Sequence, residues 1–216
     1  MEPVVRPQHK GTKRLFNNNI LEKLTHTHIA VPLVIFFLYA AGLLYWSLAC
    51  TDIGALYCVL LFFLGFFVFT WAEYNMHRYL FHLKTDEAWK ETFQYTIHGV
   101  HHEFPKDKSR LAMPPLVSVT LATMLLWALH FFIGGYVFAF LPGFLIGYAF
   151  YLFIHYIVHV YPPPKNIFKA LWINHAIHHY LKDSCVFGVS SPLWDYIYGT
   201  MPPKEKAKAL KESGEI

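Results

Sequence analysis

The sequence predicts an all-α integral membrane protein with four transmembrane helices in two hairpins and a cytosolic helical cap. Three observations predict it. Hydrophobic residues make up 55% of the 216 positions and charged residues only 15%, against about 25% charged in a soluble domain. Three long stretches carry no charge at all: Ile29 to Ala49, Gly54 to Ala72 and Leu116 to Val160. The basic residues avoid the turns between the expected spans. Of 18 Lys and Arg, five precede Ile29, six lie between Arg78 and Arg110, and seven follow Val160.

Each element follows in order. Residues 1–28 form a basic N-terminal segment without the cleavage pattern of a signal peptide. A spanning helix needs about 20 apolar residues at 1.5 Å each, so residues 29–49 and 54–74 are each expected to cross once. Residues 75–115 are a polar, basic central loop. The third uncharged stretch is too long for one crossing and is expected to form spans over 116–136 and 140–160. The break falls among Gly134, Gly135, Pro142 and Gly143. Residues 161–216 complete the cap, with a charged tail from Lys204 expected as a frayed helix. Four crossings place both termini and the central loop on one side, and the positive-inside rule makes that side the cytoplasm. The whole chain is read as one domain. Cys50, Cys58 and Cys185 show no ligand or disulfide spacing.

The chemistry lies in the histidines. Ten of the 14 fall in four clusters: HRYLFH (His77, His82), HGVHH (His98, His101, His102), HYIVH (His155, His159) and HAIHH (His175, His178, His179). All four lie on the predicted cytoplasmic side near a span end. Neutral imidazole is the commonest metal ligand and suits iron and zinc. Ten rings exceed what one ion takes, so two ions close together are expected. His155 and His159 share a helix face, on which Tyr148 and Tyr151 also lie. HGVHH and HAIHH are read the same way, each with its three histidines on one face. His77 and His82 are five apart, which on an α-helix separates the rings by about 140°. They converge only if the helix ends or bulges there, or if two metals lie between them. His9, His26, His28 and His130 stand outside the clusters and are read as ordinary polar residues. No HExxH peptidase signature occurs, since Glu103 follows its histidines. Clusters at span ends fit neither a mid-membrane transport site nor paired lone haem ligands. The pattern points to oxygen chemistry on a lipid.

Three strings carry a resemblance. EYNMHRYLFH (73–82), HGVHHEFPKDKSRLAMPP (98–115) and FGVSSPLWDYIYGT (187–200) resemble the fatty acid hydroxylase superfamily of membrane oxygenases, which includes sterol desaturases, and within it most nearly the fatty acid 2-hydroxylases. The resemblance implies a dimetal centre ligated by His77, His82, His98, His101, His102, His155, His159, His175, His178 and His179. It implies O2-dependent insertion of a hydroxyl at C2 of a long acyl chain, on a free fatty acid or a ceramide. Many relatives have a histidine after the third box, where this chain has Val160. Several begin with a cytochrome b5 domain, which 28 residues cannot hold. A separate electron donor of cytochrome b5 or ferredoxin type, with its reductase, is therefore expected.

Cleaving an unactivated C–H bond exceeds side-chain acid–base chemistry, and zinc has no redox chemistry. Two iron ions with O2 as cosubstrate are expected, with zinc able to replace them in isolated protein. Tyr148 and Tyr151 are candidates to touch the substrate. Glu73 and Asp195 are candidates to support the ligands, with Trp194 anchoring the cap and Asp107 and Arg110 forming a structural ion pair. Lipid and membrane are the expected partners, and no nucleic acid. The expected location is the endoplasmic reticulum in a eukaryote or the inner membrane in a bacterium. Two other readings stand beside this one: an oxygenase or desaturase acting on a sterol, carotenoid or sphingoid base, and a non-catalytic metal-binding or metal-transport membrane protein.

Overall fold

The computed structural model of the chain describes residues 7–83, 85–180 and 184–202, and the charged tail lies outside them. Helices account for the architecture, and no strand occurs among the described residues. A short α1, Asn19–Leu24, starts where the Asn18 side chain accepts from the N–H groups of Ile20 and Leu21. It lies against the central loop through Glu22, which meets Arg110 at 2.5 Å. Burial opposes ionisation of Glu22. The N–H donors of Leu15 and Phe16 and the Arg110 guanidinium outweigh it and lower the carboxyl to about 2.

The long helices follow. They are α2 (Ala30–Cys50) and α3 (Ala55–Asn75), the latter running on into a π-helical turn, Met76–Phe81. The central loop holds α4 (Ala88–Gln94), a second π-helical turn (Tyr95–Gly99) and the one-turn α5 (Val100–Glu103). Next come α6 (Pro115–Ile133), with proline in its first turn, and α7 (Val137–Val160). They are separated at Gly134, whose φ of 57° suits glycine. The chain breaks at 134–136, so Pro142 and Gly143 lie inside α7 and not in the turn. The last elements are α8 (Lys169–Tyr180) and α9 (Leu193–Tyr198), which Gly199 ends in the left-handed conformation.

The centre of the bundle is α7, packed along both α2 and α3. Its Val137, Leu141, Leu145 and Ala149 join Phe36 and Ala40 of α2 and Ala122 and Leu126 of α6 in the main core. Against α3 the backbones nearly touch. A Cβ on Gly143 would lie 1.8 Å from the Phe62 carbonyl oxygen, and one on Gly65 would lie 2.0 Å from that of Phe140. Small residues at such crossings let helices pack closely where lipid supplies no hydrophobic drive.

The outer faces are as apolar as the core. Phe37, Leu38, Phe63, Trp127 and Phe131 are exposed, a surface unsuited to water at this extent. Three helical stretches are long and apolar enough to cross a membrane: Ala30–Cys50, Ala55–Phe81 and Lys108–Val160. At the opposite end of α7 from its Gly134–Tyr136 start, α5, α8 and the segment after residue 184 gather over the ends of α3 and α7.

Candidate metal centre

The first histidine pair is set by the π-helical turn. The His82 N–H bonds to the His77 carbonyl at 3.2 Å, an i to i+5 bond that stacks residues five apart. The two ring centroids are 5.1 Å apart. Of the ways these rings could converge, the bulge is the one the chain adopts.

The ten clustered histidines form two groups. His77, His82, His98, His102 and His178 make site A, and His101, His155, His159, His175 and His179 make site B; within each, one nitrogen per ring lies within 4.8 Å of the others. This corrects the reading of HGVHH and HAIHH as single faces. Neighbouring residues on a helix diverge by about 100°. So His102 and His98 turn to site A while His101 turns to site B, and on α8 His175 and His179 serve B while His178 serves A. The two sites adjoin, with the His102 and His179 rings stacked at 4.2 Å.

The donors fit metal ions. Nε2 atoms face one another at 3.1 Å (His77, His98), 3.0 Å (His98, His102) and 2.9 Å (His82, His178) in site A. In site B they do so at 2.9 Å (His101, His155) and 2.6 Å (His159, His175). Burial holds the rings neutral. It lowers His82 and His178 to about 3, and takes His98, His101, His102, His175 and His179 well below the usual histidine value. Hydrogen bonds from Nδ1 leave the Nε2 lone pairs of His77, His155 and His178 facing inward. Converging lone pairs repel unless a cation lies between them. With metal–nitrogen bonds of about 2.1 Å, ligands at right angles lie about 3.0 Å apart and tetrahedral ones about 3.4 Å. Nearest donors are thus about as close as ligands of one ion, and five donors per site are enough to surround it.

Backbone carbonyls orient the rings from outside. The Nδ1–H groups of His77, His178 and His155 donate to Phe187 O at 2.5 Å, Cys185 O at 2.9 Å and Leu111 O at 3.1 Å. Such bonds fix tautomer and ring direction. Two of these carbonyls belong to one strap, residues 185–190, and two buried carboxylates hold it. Asp195 accepts from the N–H groups of Phe187 and Gly188, both at 2.8 Å. Glu73 accepts from those of Val189 and Ser190, both at 2.8 Å, and from the Ser190 hydroxyl. Glu73 thus has its oxygens engaged and is not a free base.

Two openings reach the sites. An apolar cavity of about 290 Å³ runs from His77 between α2, α3, α6 and α7, lined among others by Phe36, Leu121, Phe144, Tyr148 and Tyr151. The Tyr148 hydroxyl is buried with no hydrogen-bond partner among the described residues, and the Tyr151 ring stacks on His155 at 5.6 Å. A mixed polar groove of about 440 Å³ lies on the other side, over His159, His175 and His179.

The unclustered histidines lie elsewhere. His26 bonds Ser109 at 2.6 Å and Arg110 at 2.9 Å, His130 faces the Gly134 carbonyl at 3.1 Å, and the His28 ring accepts from Ala30 N–H at 3.3 Å. His9 lines the groove beside Tyr180. Arg110 lies 3.7 Å from Asp107 as well as against Glu22, and the Trp194 indole donates to Thr70 at 3.0 Å. The sequence reading missed the carbonyls of Leu111, Cys185 and Phe187. The strings RLAMPP and FGVSSPLWD were the available signal, but a carbonyl has no residue type.

Fold and site together define an all-helical, membrane-type protein with a candidate dinuclear centre built from histidine alone. The chain belongs to the fatty acid hydroxylase family, whose model matches residues 62–200. It is 35% identical to the ceramide very long chain fatty acid hydroxylase scs7 of Schizosaccharomyces pombe, over 100% of this chain and 62% of that protein. It is 38% identical to the dihydroceramide fatty acyl 2-hydroxylase FAH2 of Arabidopsis thaliana over 64% of this chain and 60% of that one. It is similar in structure to full-length scs7p, of which only the hydroxylase domain is visible, with a TM-score of 0.83, 32% identity, and coverage of 93% of this chain and 76% of that one. The chain spans about three fifths of the length of these two curated relatives.

Proposed function

We propose that this chain is an O2-dependent lipid hydroxylase that places a hydroxyl at C2 of a long acyl chain, on a free fatty acid or a ceramide. The observation that carries the reading is the apolar cavity ending on His77 of site A. Membership of the family and the names of its relatives support it. The cavity is at the low end of ligand pockets, about 300–1,000 Å³. It holds part of a long chain, and the rest extends between the helices toward lipid. The site sits at the end of the spans, so the first carbons below a polar head come nearest to it. That position favours C2 over mid-chain carbons.

Four crossings are part of the proposal. The third helical stretch, Lys108–Val160, divides at Gly134 into α6 of 19 residues and α7 of 24, each about long enough for about 30 Å of hydrocarbon. The cap and both termini are then cytosolic, in the endoplasmic reticulum of a eukaryote or the inner membrane of a bacterium.

The ten histidines would hold two iron ions, five to each. When bound, the iron supplies O2 activation and C–H cleavage. The chain does the rest. Apolar side chains of α2, α6 and α7 exclude water and align the tail. The Tyr148 hydroxyl donates to a polar group of the substrate, and Tyr151 braces His155. Asp195 and Glu73 hold the strap that orients His77 and His178. The balance is one substrate C–H, one O2, two electrons and two protons in, with one C–OH and one water out. The two electrons come from an external donor of cytochrome b5 or ferredoxin type.

Lipid mass spectrometry of cells with and without this chain tests the reading. A 2-hydroxy acyl lipid that depends on the chain is expected. Oxygen or a double bond on a sterol, carotenoid or sphingoid base would replace the substrate class.

A further inference from the structure

The two histidine groups are not equivalent, and three separate features distinguish them. The outer layer is one. In site A, the Nδ1–H groups of His77 and His178 are pinned by carbonyls of the strap. Site A thus has two such bonds and site B one, from His155, while Nδ1 of His101, His175 and His179 in site B is buried and meets no acceptor among the described residues. Losing bonds of this kind costs about 10–100-fold in metal affinity. Access is the second. The polar groove is lined by His159, His175 and His179, all of site B, and by no histidine of site A. The apolar cavity touches His77 of site A and no histidine of site B. Charge is the third. Lys106 lines the groove, and its ammonium donates to the His159 carbonyl at 2.8 Å. A fixed positive charge there weakens any cation at site B.

We propose that this groove is the aqueous port of site B, through which a divalent transition-metal ion exchanges with solution while the ion at site A stays bound. Substrate then approaches the centre from the site A side and water from the site B side. The proposal rests on the two-metal reading of the centre.

The test uses purified full-length protein loaded with zinc, its metal content measured first. Excess chelator with a zinc-responsive dye then follows release. One equivalent is expected to leave fast and the other at least about tenfold more slowly, given the difference in outer hydrogen bonds. Anomalous diffraction after the fast phase should show density lost from site B alone. To narrow the port without disturbing folding, Ala176→Cys, which lines the groove and is not a ligand, is reacted after purification with a bulky aromatic thiosulfonate. Unsubstituted protein treated alike controls for the exposed Cys50. The label should slow the fast phase and leave the slow one unchanged, and Lys106→Met should also slow it. Release of both ions in one phase, loss from site A first, or a fast phase indifferent to the label would overturn the port. A starting content below two ions per chain would overturn the two-metal reading, and this proposal with it.

Discussion

Asp195→Asn should weaken metal binding at site A and spare site B. The Phe187 carbonyl that accepts from His77 and the Gly188 N–H that donates to Asp195 belong to the same peptide group. His77 and Asp195 therefore hold one peptide plane from opposite sides. Asp195 is fully buried and also accepts from the Thr200 hydroxyl at 2.7 Å. Asparagine keeps the shape but turns one acceptor into a donor, facing a buried N–H. A charge-assisted bond is lost and a donor is stranded, a cost of about 1.5–3 kcal/mol. The plane that aims His77 is then free to tilt. Disturbing such outer contacts lowers affinity about 10–100-fold, or about 1.4–2.7 kcal/mol. Competition titration with a chelating dye reads the two sites separately, and thermal unfolding reads the strap. Wild-type affinity at site A in a folded Asp195→Asn protein would refute the argument, as would equal loss at both sites.

Four further outcomes are expected. His155→Ala and His179→Ala should each abolish hydroxylation while the chain remains in the membrane fraction, because insertion follows apolar length and not the metal; full activity in either removes that residue from the ligand set. His9→Ala should be close to silent in the same assay. Metal-free protein should lose stability in acid. His82 and His178 titrate near 3 when folded but near 6.5 when unfolded, so their contribution is complete above about pH 6.5 and falls as pH drops from there toward 3; a melting temperature flat from pH 7 to 4 would contradict this. Gly143→Leu should prevent close packing of α3 on α7, since even a Cβ there meets the Phe62 carbonyl at 1.8 Å; it should reduce yield of folded protein, and normal yield and melting would place that crossing elsewhere.

Much of this was legible in the sequence, for physical reasons. Apolar length and the absence of charge over 29–49 and 54–72 anticipate α2 and α3, since crossing length depends on composition alone. The histidine spacing identified all ten residues that converge. Spacing did not divide them between two sites, because that depends on where two further helices present their own rings. His101 and His102 are sequence neighbours and serve different sites. The π-helical turn at 76–81 was open in the sequence as one of three ways to bring His77 and His82 together. The strap was the least legible feature. Its acceptors are backbone carbonyls, and only its anchors leave a mark. Asp195 and Glu73 are such marks. So is Gly188, where a Cβ would lie 2.2 Å from the Ser191 carbonyl oxygen and 2.8 Å from Asp195.

The most direct test of the account is a reconstituted reaction under isotopically labelled O2. Purified chain loaded with two irons receives a long-chain acyl lipid, an electron carrier and its reductase, and the product is mapped by fragmentation mass spectrometry. The account predicts one labelled oxygen at C2, many turnovers with the donor system, and at most about one from pre-reduced protein alone, since two electrons are consumed per product. Oxygen derived from water, oxygen at another carbon, or sustained turnover without a donor would contradict it.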